Sequence, residues 1–312
     1  MYMPFVRGKQ FELIALRELA PTLAQAGVVS PIIEPVKAKT SSLEKSLMAL
    51  AAANVNFTLI LNPRVGELTG NYKRITQIIS SLSHYSNFQI GINVQSPDRL
   101  NKAAAYLREN GFQHIPITLV HNREMREISA LEAFASEFNI RYNVINFGEV
   151  GRRYRRNFSA ATLVSLEDQF NEQEKNADYK ELPVEVFTDE HKYYEEEGFV
   201  GFSDFATIGS AFAEGGFLPY AVAIHLTFER SGVIDIHHFV SDTNDDNADT
   251  PGKFAEALEH VISWLNANPH FSSTAIQEFR ALHTDAHYPG LGSIKKLSLM
   301  HHVELVIHLM SR

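Results

Sequence analysis

The sequence predicts a (β/α)8 TIM-type barrel with a β-hairpin and helix insertion before the last helix. Three observations point there. Short β-branched runs ending in a polar residue alternate with amphipathic helix patterns, six times over the first 150 residues. The 312 residues leave roughly the 250 that an eight-stranded barrel needs once an insertion is set aside. The alternation then breaks after residue 204, where two β-rich runs flank a turn. An open doubly wound sheet is the rival architecture.

The six runs are Tyr2 to Val6, Val28 to Ile33, Phe57 to Leu61, Phe88 to Ile92, Ile115 to Val120 and Tyr142 to Ile145. Between them, Phe11, Ile14, Leu16, Leu19 and Leu23 fall near helical spacing, and Thr40 and Ser41 open a helix to about Ala53. Tyr72 to His84 is the third helix. Ser96 followed by Pro97 is a cap with proline in the first turn, and Asn110-Gly111 ends that helix. Asn122 opens a helix to about Phe138. Thr162 to Asp168 and Phe199 to Asp204 are strands seven and eight, with a helix expected from Val184 to Glu197, ended by Gly198.

Tyr220 to Glu229 and Val233 to Val240 form a hairpin around Arg230-Ser231-Gly232. An acidic loop, Asp242 to Asp249, precedes a helix from Gly252 to Ala267. A last helix runs from Ser293 to about Met310. One barrel domain over 1–312 is expected, with 205–290 as an insertion on its C-terminal rim and the last helix closing the barrel.

Hydrophobic residues make up 45% and charged residues 21%, the composition of a folded globular chain. The net charge of −9 disfavours a dedicated nucleic-acid binder and leaves room for a local basic patch. The absence of cysteine excludes disulfides, iron–sulfur clusters, Cys-based zinc sites and thiol nucleophiles. The N-terminal residues lack a basic region followed by an apolar stretch, so no signal peptide is expected, nor a membrane span. The expected location is cytoplasmic.

In a barrel, the residues just past each strand's C-terminal end share one rim, where such folds place their chemistry. That rim set is Lys9, Glu34, Lys37, Asn62, Asn93, His121, Asn146, Glu167, Asp168 and Asp204. Glu34, Glu167 and Asp204 are a candidate Mg²⁺ or Mn²⁺ set, with His121 as a nitrogen ligand. Glu167 and Asp168 alternate faces, so only one of them can join it. Arg152, Arg153, Arg155 and Arg156, with Arg7, Lys9 and Arg64, could make the mouth positive and bind phosphate or carboxylate; the bland alternative is a solvated face paired with the acidic stretch 185–197.

Within His237-His238-Phe-Val-Ser-Asp242, His238 and Asp242 are near enough in sequence to pair. The Asp242–Asp249 loop lacks the glycine and glutamate of an EF-hand. His301, His302 and Glu304 are expected to be core packing plus one surface histidine. No P-loop, G-x-G-x-x-G, G-x-S-x-G or H-E-x-x-H occurs, which removes ATPase, dinucleotide oxidoreductase, serine hydrolase and zincin readings.

Residues 1–13 (MYMPFVRGKQFEL), 201–209 (GFSDFATIG), 238–242 (HFVSD) and 293–297 (SIKKL) resemble the phage and bacterial "beta protein" family over nearly the whole chain. The resemblance implies a sporadically distributed group linked to phages and mobile elements. It implies no reaction and carries over no functional residue. Its segments coincide with positions picked above, around Arg7, Lys9, Asp204 and His238.

Two functions are expected on these grounds. One is a hydrolase-type enzyme acting on a phosphorylated or anionic substrate, metal-assisted or not. Lys9, Glu34, Glu167, Asp204 and His238 would be catalytic there, and Arg7, Lys37, Asn62, Asn93, His121, Asn146, Arg152 and Arg153 would bind substrate. The other is a non-catalytic sensor or scaffold that docks a protein partner, encoded beside it, in phage defence.

Overall fold

The computed structural model describes residues 1–215 and 218–312. The chain forms two compact units: Met1–Asp168 with Tyr193–Asp204, and Gln169–Lys192 with Phe205–Arg312.

The first unit is the barrel. Strands β1 (Phe5–Val6), β2 (Ile32–Ile33), β3 (Phe57–Ile60), β4 (Phe88–Val94), β5 (Ile117–His121), β6 (Ile140–Asn146) and β7 (Leu163–Glu167) pair in parallel in chain order. Helices α1 (Gln10–Ala26), α2 (Ser41–Ala52), α3 (Tyr72–Leu82), α4 (Pro97–Glu109) and α5 (Ile128–Glu137) connect the first six strands. The predicted α4 cap is present: the Ser96 hydroxyl accepts from the Arg99 N–H at 3.3 Å, with Pro97 in the first turn.

Strand β8 (Val184–Thr188) and the short helix α6 (Glu190–Tyr193) follow, and β9 (Gly201–Asp204) is the eighth strand of the parallel sheet. Tyr2 bridges both Val29 and Phe202, with Met3 N–H donating to Phe202 O (2.8 Å) and Phe202 N–H to Met1 O (3.0 Å). The sheet thus curls back on itself, which removes its open edges.

Register decides which side chains fill the barrel. Residues paired across parallel strands share a face, and successive residues alternate. Thr58 on β3 and Thr118 on β5 lie 3.4 Å apart across the intervening strand, and Thr118 donates to Gln89 on β4 at 2.7 Å. Side chains that skip a strand to meet can do so only inside the barrel. The interior face therefore includes Thr58, Ile60 and Asn62; Gln89, Gly91 and Asn93; Thr118, Val120 and Asn122; and Val144 and Asn146. The outer face includes Leu119 and His121, Asn143 and Ile145, Ser165 and Glu167, and Phe202 and Asp204. Gly91 leaves the space that Ile60 and Thr58 occupy, since a Cβ there would lie 2.4 Å from Ile60 Cδ1 and 2.9 Å from Thr58 Cγ2.

The second unit holds a three-stranded antiparallel sheet. Strands β10 (Ala223–Arg230) and β11 (Val233–Val240) form the predicted hairpin, and β8 adds to β11. Ser231 (φ 56°) and Gly232 (φ 83°) make the two-residue turn with positive φ at both positions. Helices α7 (Thr250–Ala267) and α9 (Leu291–Met310) pack on this sheet, and α8 (Thr274–Thr284) packs against those two helices. The acidic loop serves the start of α7: Asp249 accepts from the Gly252 N–H at 3.0 Å, and Lys253 Nζ reaches Asp246. His301 pins α9 to its neighbours, meeting Ser273 Oγ at 2.8 Å and donating to Thr227 O at 2.6 Å.

Three expectations change. The segment after Val184 begins as a strand, because Val184, Val186 and Thr188 are β-branched and pair with β11; propensity yields to that pairing. The second compact unit takes in 169–192 and the last helix along with 205–290, where one domain with a 205–290 insertion was expected. His301 and His302 are both buried, where one surface histidine was expected.

Gly91→Ala should destabilise the barrel by about 1–3 kcal/mol, because the methyl group must displace Ile60 or strand β3. Urea unfolding of the variant measures this, and an unchanged midpoint would place Gly91 away from the packed interior.

Candidate functional site

The barrel mouth at the C-terminal ends of the strands is organised around Glu34, which is 0% exposed. Glu34 continues β2 on the interior face, level with Arg7 at the end of β1. An isolated buried carboxylate is costly unless paired and hydrogen-bonded. Here the Arg7 guanidinium pairs with Oε2. Oε1 accepts from the Arg64 backbone N–H at 2.7 Å and from Asn93 Nδ2 at 3.1 Å.

From Asn93 the network runs on around the mouth. Asn122 Nδ2 donates to Asn93 Oδ1 at 2.8 Å, Asn146 Nδ2 to Asn122 Oδ1 at 2.9 Å, and the Gly148 N–H to Asn146 Oδ1 at 3.1 Å. Asn62 and Asn93 are locked face to face: the Asn93 N–H donates to Asn62 Oδ1 at 2.7 Å and Asn62 Nδ2 to Asn93 O at 2.8 Å. The side-chain amides of Asn93, Asn122 and Asn146 form a chain that donates toward Glu34, so the negative charge and these amide dipoles reinforce one another. Asn93 uses both amide hydrogens, the second on Asn62 O at 3.0 Å. Asn122 and Asn146 each use one and keep one without a protein acceptor among the described residues.

Two arginine-bearing loops flank this side of the mouth. The Tyr154 hydroxyl accepts from the Met125 N–H at 3.2 Å, and the Gly151 N–H donates to Glu124 at 2.9 Å. The loop after β5, with Arg123 and Arg126, is thereby tied to the loop after β6, with Arg152, Arg153, Arg155 and Arg156. Arg155 donates to Glu197 O at 3.2 Å and stacks over Phe199. The other five are exposed and have no ion-pair or hydrogen-bond partner among the described residues. The expected alternative, a face neutralised by 185–197, thus holds only for the Arg155 contact, which is to a backbone carbonyl.

The predicted rim set divides by strand parity. Arg7, Glu34, Asn62, Asn93 and Asn146 meet in the mouth. His121, Glu167 and Asp204 are on the outer face instead. His121 is fully buried there between Tyr154 (3.1 Å from Nδ1) and Asn143 (3.0 Å from Nε2). Burial pushes its pKa down to about 4, the Asn143 hydrogen bond opposing only in part. Asp204 accepts from the Tyr2 hydroxyl at 2.7 Å.

The proposed Mg²⁺ or Mn²⁺ set of Glu34, Glu167 and Asp204 is therefore split between two faces of the sheet. Among the described residues no group of three His, Asp or Glu side chains is arranged to hold a metal ion. Lys37 forms a surface pair with Glu67 at 3.0 Å, and Lys9 begins α1, its backbone N–H donating to the buried Glu12 at 3.3 Å.

His238, in the second unit, does not pair with Asp242, which meets His260 at 3.1 Å. Its Nε2 lies 3.2 Å from Glu185 and its Nδ1 2.7 Å from His225 Nδ1. Sequence reasoning missed Asn122, Glu185 and His225; it named Arg64 for its charge, whereas the backbone N–H of Arg64 is what meets Glu34. The first has a legible signal: on β5 the interior parity Thr118, Val120 selects Asn122 rather than His121. The contacts of His238 with Glu185 and with His225 come from register between distant segments, which no local pattern encodes.

No family model matches the chain, and no curated protein matches it.

Glu34→Ala should cost about 3–5 kcal/mol in chemical denaturation, because it leaves Arg7 without its carboxylate; a loss under 1 kcal/mol would contradict the buried-pair account. His121 stays neutral in the folded state to about pH 4, whereas the unfolded chain takes up that proton near 6.5. Stability should therefore fall as pH drops from 6.5 toward 4, by up to about 1.4 kcal/mol per pH unit from this residue. His121→Gln should flatten that dependence, and an identical slope would show that His121 titrates normally.

Proposed function

We propose that the barrel mouth binds a phosphorylated or otherwise anionic small molecule. The observation that carries this is a set of five exposed arginines without a side-chain partner among the described residues, on the two loops, tied together, that follow β5 and β6, the strands whose ends carry Asn122 and Asn146. Arginine forks suit phosphate and carboxylate oxygens, and neutral amide donors fix orientation without adding charge.

Binding without turnover is the reading this mouth favours. Glu34 is paired with Arg7 and accepts from the Arg64 N–H and from Asn93 Nδ2, so both its oxygens are engaged in holding the mouth together. Hydrolysis by the three strand-end carboxylates is not supported, because Glu167 and Asp204 point away from Glu34. A sensor-type barrel fits both points. The setting in a phage or mobile element, and a partner encoded beside it, rest on the family resemblance alone.

Thermal unfolding of the full chain with pyrophosphate, nucleotides and phosphorylated metabolites tests the reading, since a ligand at 100 times its Kd stabilises by about 2.7 kcal/mol. At least one such ligand should raise the midpoint. Arg152→Glu with Arg153→Glu should weaken that ligand tenfold or more, and added salt should weaken it in the wild type. The absence of any shift, or a shift that survives charge reversal, would remove the mouth as an anion site.

A further inference from the structure

A groove in the second unit runs between helix α7 and the C-terminal end of α8, with a volume of about 270 Å³. One face of α7 supplies Pro251, Phe254, Ala255, Leu258 and Glu259, at the three- and four-residue spacing of a helix. Phe254 and Leu258, with Leu282 of α8, are buried and form the floor. Ala255 and Glu259 are exposed at the rim.

The opposite wall comes from the chain as it leaves α8. The Ala286 N–H donates to His283 O at 3.2 Å and the His287 N–H to Leu282 O at 3.0 Å, a pairing that ends a helix in a left-handed residue. That residue is Ala286, with φ 46°. Glycine is the usual occupant of such a position, and alanine adds a methyl group to the groove. Tyr288 follows, its ring 5.5 Å from that of Phe254 between centroids.

Size and charge together select an occupant. A dry cavity of about 150 Å³ accepts benzene, so this larger groove has room for one aromatic ring and a short polar arm. The aliphatic and aromatic floor suits the ring. At the rim, Glu259 brings a carboxylate, and no Lys or Arg is among the described residues that line the groove. His283 Nε2 holds Glu259 Oε2 at 2.7 Å, and Ser263 Oγ donates to Oε1 at the longer distance of 3.4 Å. A carboxylate has about four acceptor positions, so Glu259 can take a further donor. The C-terminal end of α8 adds the negative pole of a helix dipole, and the second unit as a whole is acidic. All three electrostatic features favour a cation and oppose an anion.

We propose that this groove binds a small aromatic amine in its ammonium form, with the ring on Phe254, Leu258 and Leu282 and the ammonium group on Glu259. The apolar floor supplies the larger part of the affinity, and the carboxylate supplies the preference for positive charge.

The test uses the full chain with ¹³C-labelled alanine methyl groups, titrated with 2-phenylethylamine, 2-phenylethanol and phenylacetate, which share a ring and differ in charge. The Ala255 and Ala286 methyl signals should move with the amine at concentrations up to about 10 mM. The amine should bind about fivefold more tightly than the alcohol, the size of one exposed ion pair, and phenylacetate more weakly than either. Glu259→Gln should bring the amine to the level of the alcohol. Ala255→Trp, which fills the groove, should abolish the shift at Ala286. Both substituted positions are exposed, so the fold is retained in each variant. Two methyl signals that stay in place overturn the proposal. So does an alcohol or acid that binds as tightly as the amine, a preference that survives Glu259→Gln, or binding that survives Ala255→Trp.

Discussion

The barrel mouth depends on one constraint: a carboxylate at position 34 is buried on the interior face of a parallel barrel. Left alone, that charge would cost several kcal/mol, so the surrounding strands must bring donors to it. Arg7 arrives from the first strand, the Arg64 N–H from the loop after the third, and Asn93 from the fourth. The asparagines at 122 and 146 then follow, because each carbonyl freed by one amide's orientation accepts from the next. Six adjacent strand ends are cross-linked in this way, with no metal needed to hold them.

The same network changes what Glu34 can do. A carboxylate held by a guanidinium and two further N–H donors anchors the groups around it. The two units also differ in character. The barrel unit has nineteen Lys and Arg against eighteen Asp and Glu, whereas the second unit has nine against nineteen. Eleven of the fourteen histidines belong to the second unit.

Much of the fold was legible because barrel strands, buried on both faces, read as short apolar runs at a steady spacing, and because caps such as Ser96-Pro97 are local chemistry. The hairpin at Ser231-Gly232 was legible for the same reason. Glu34, Asn62, Asn93 and Asn146 could be picked as strand-end residues, yet that criterion ignores parity, and His121, Glu167 and Asp204 fell on the wrong face. The strand at Val184 was missed because its partner, β11, lies some fifty residues away in sequence. Glu185 and His225 went unseen with it, since their contacts with His238 exist only once β8, β10 and β11 are in register.

The most direct test of the central constraint is side-chain amide hydrogen exchange in the asparagine-labelled chain, comparing the wild type with Glu34→Gln. If the buried charge organises the mouth, the amides of Asn93, Asn122 and Asn146 are protected in the wild type and lose protection together in the variant. Free exchange of these amides in the wild type, or protection that survives the loss of the charge, would contradict the account.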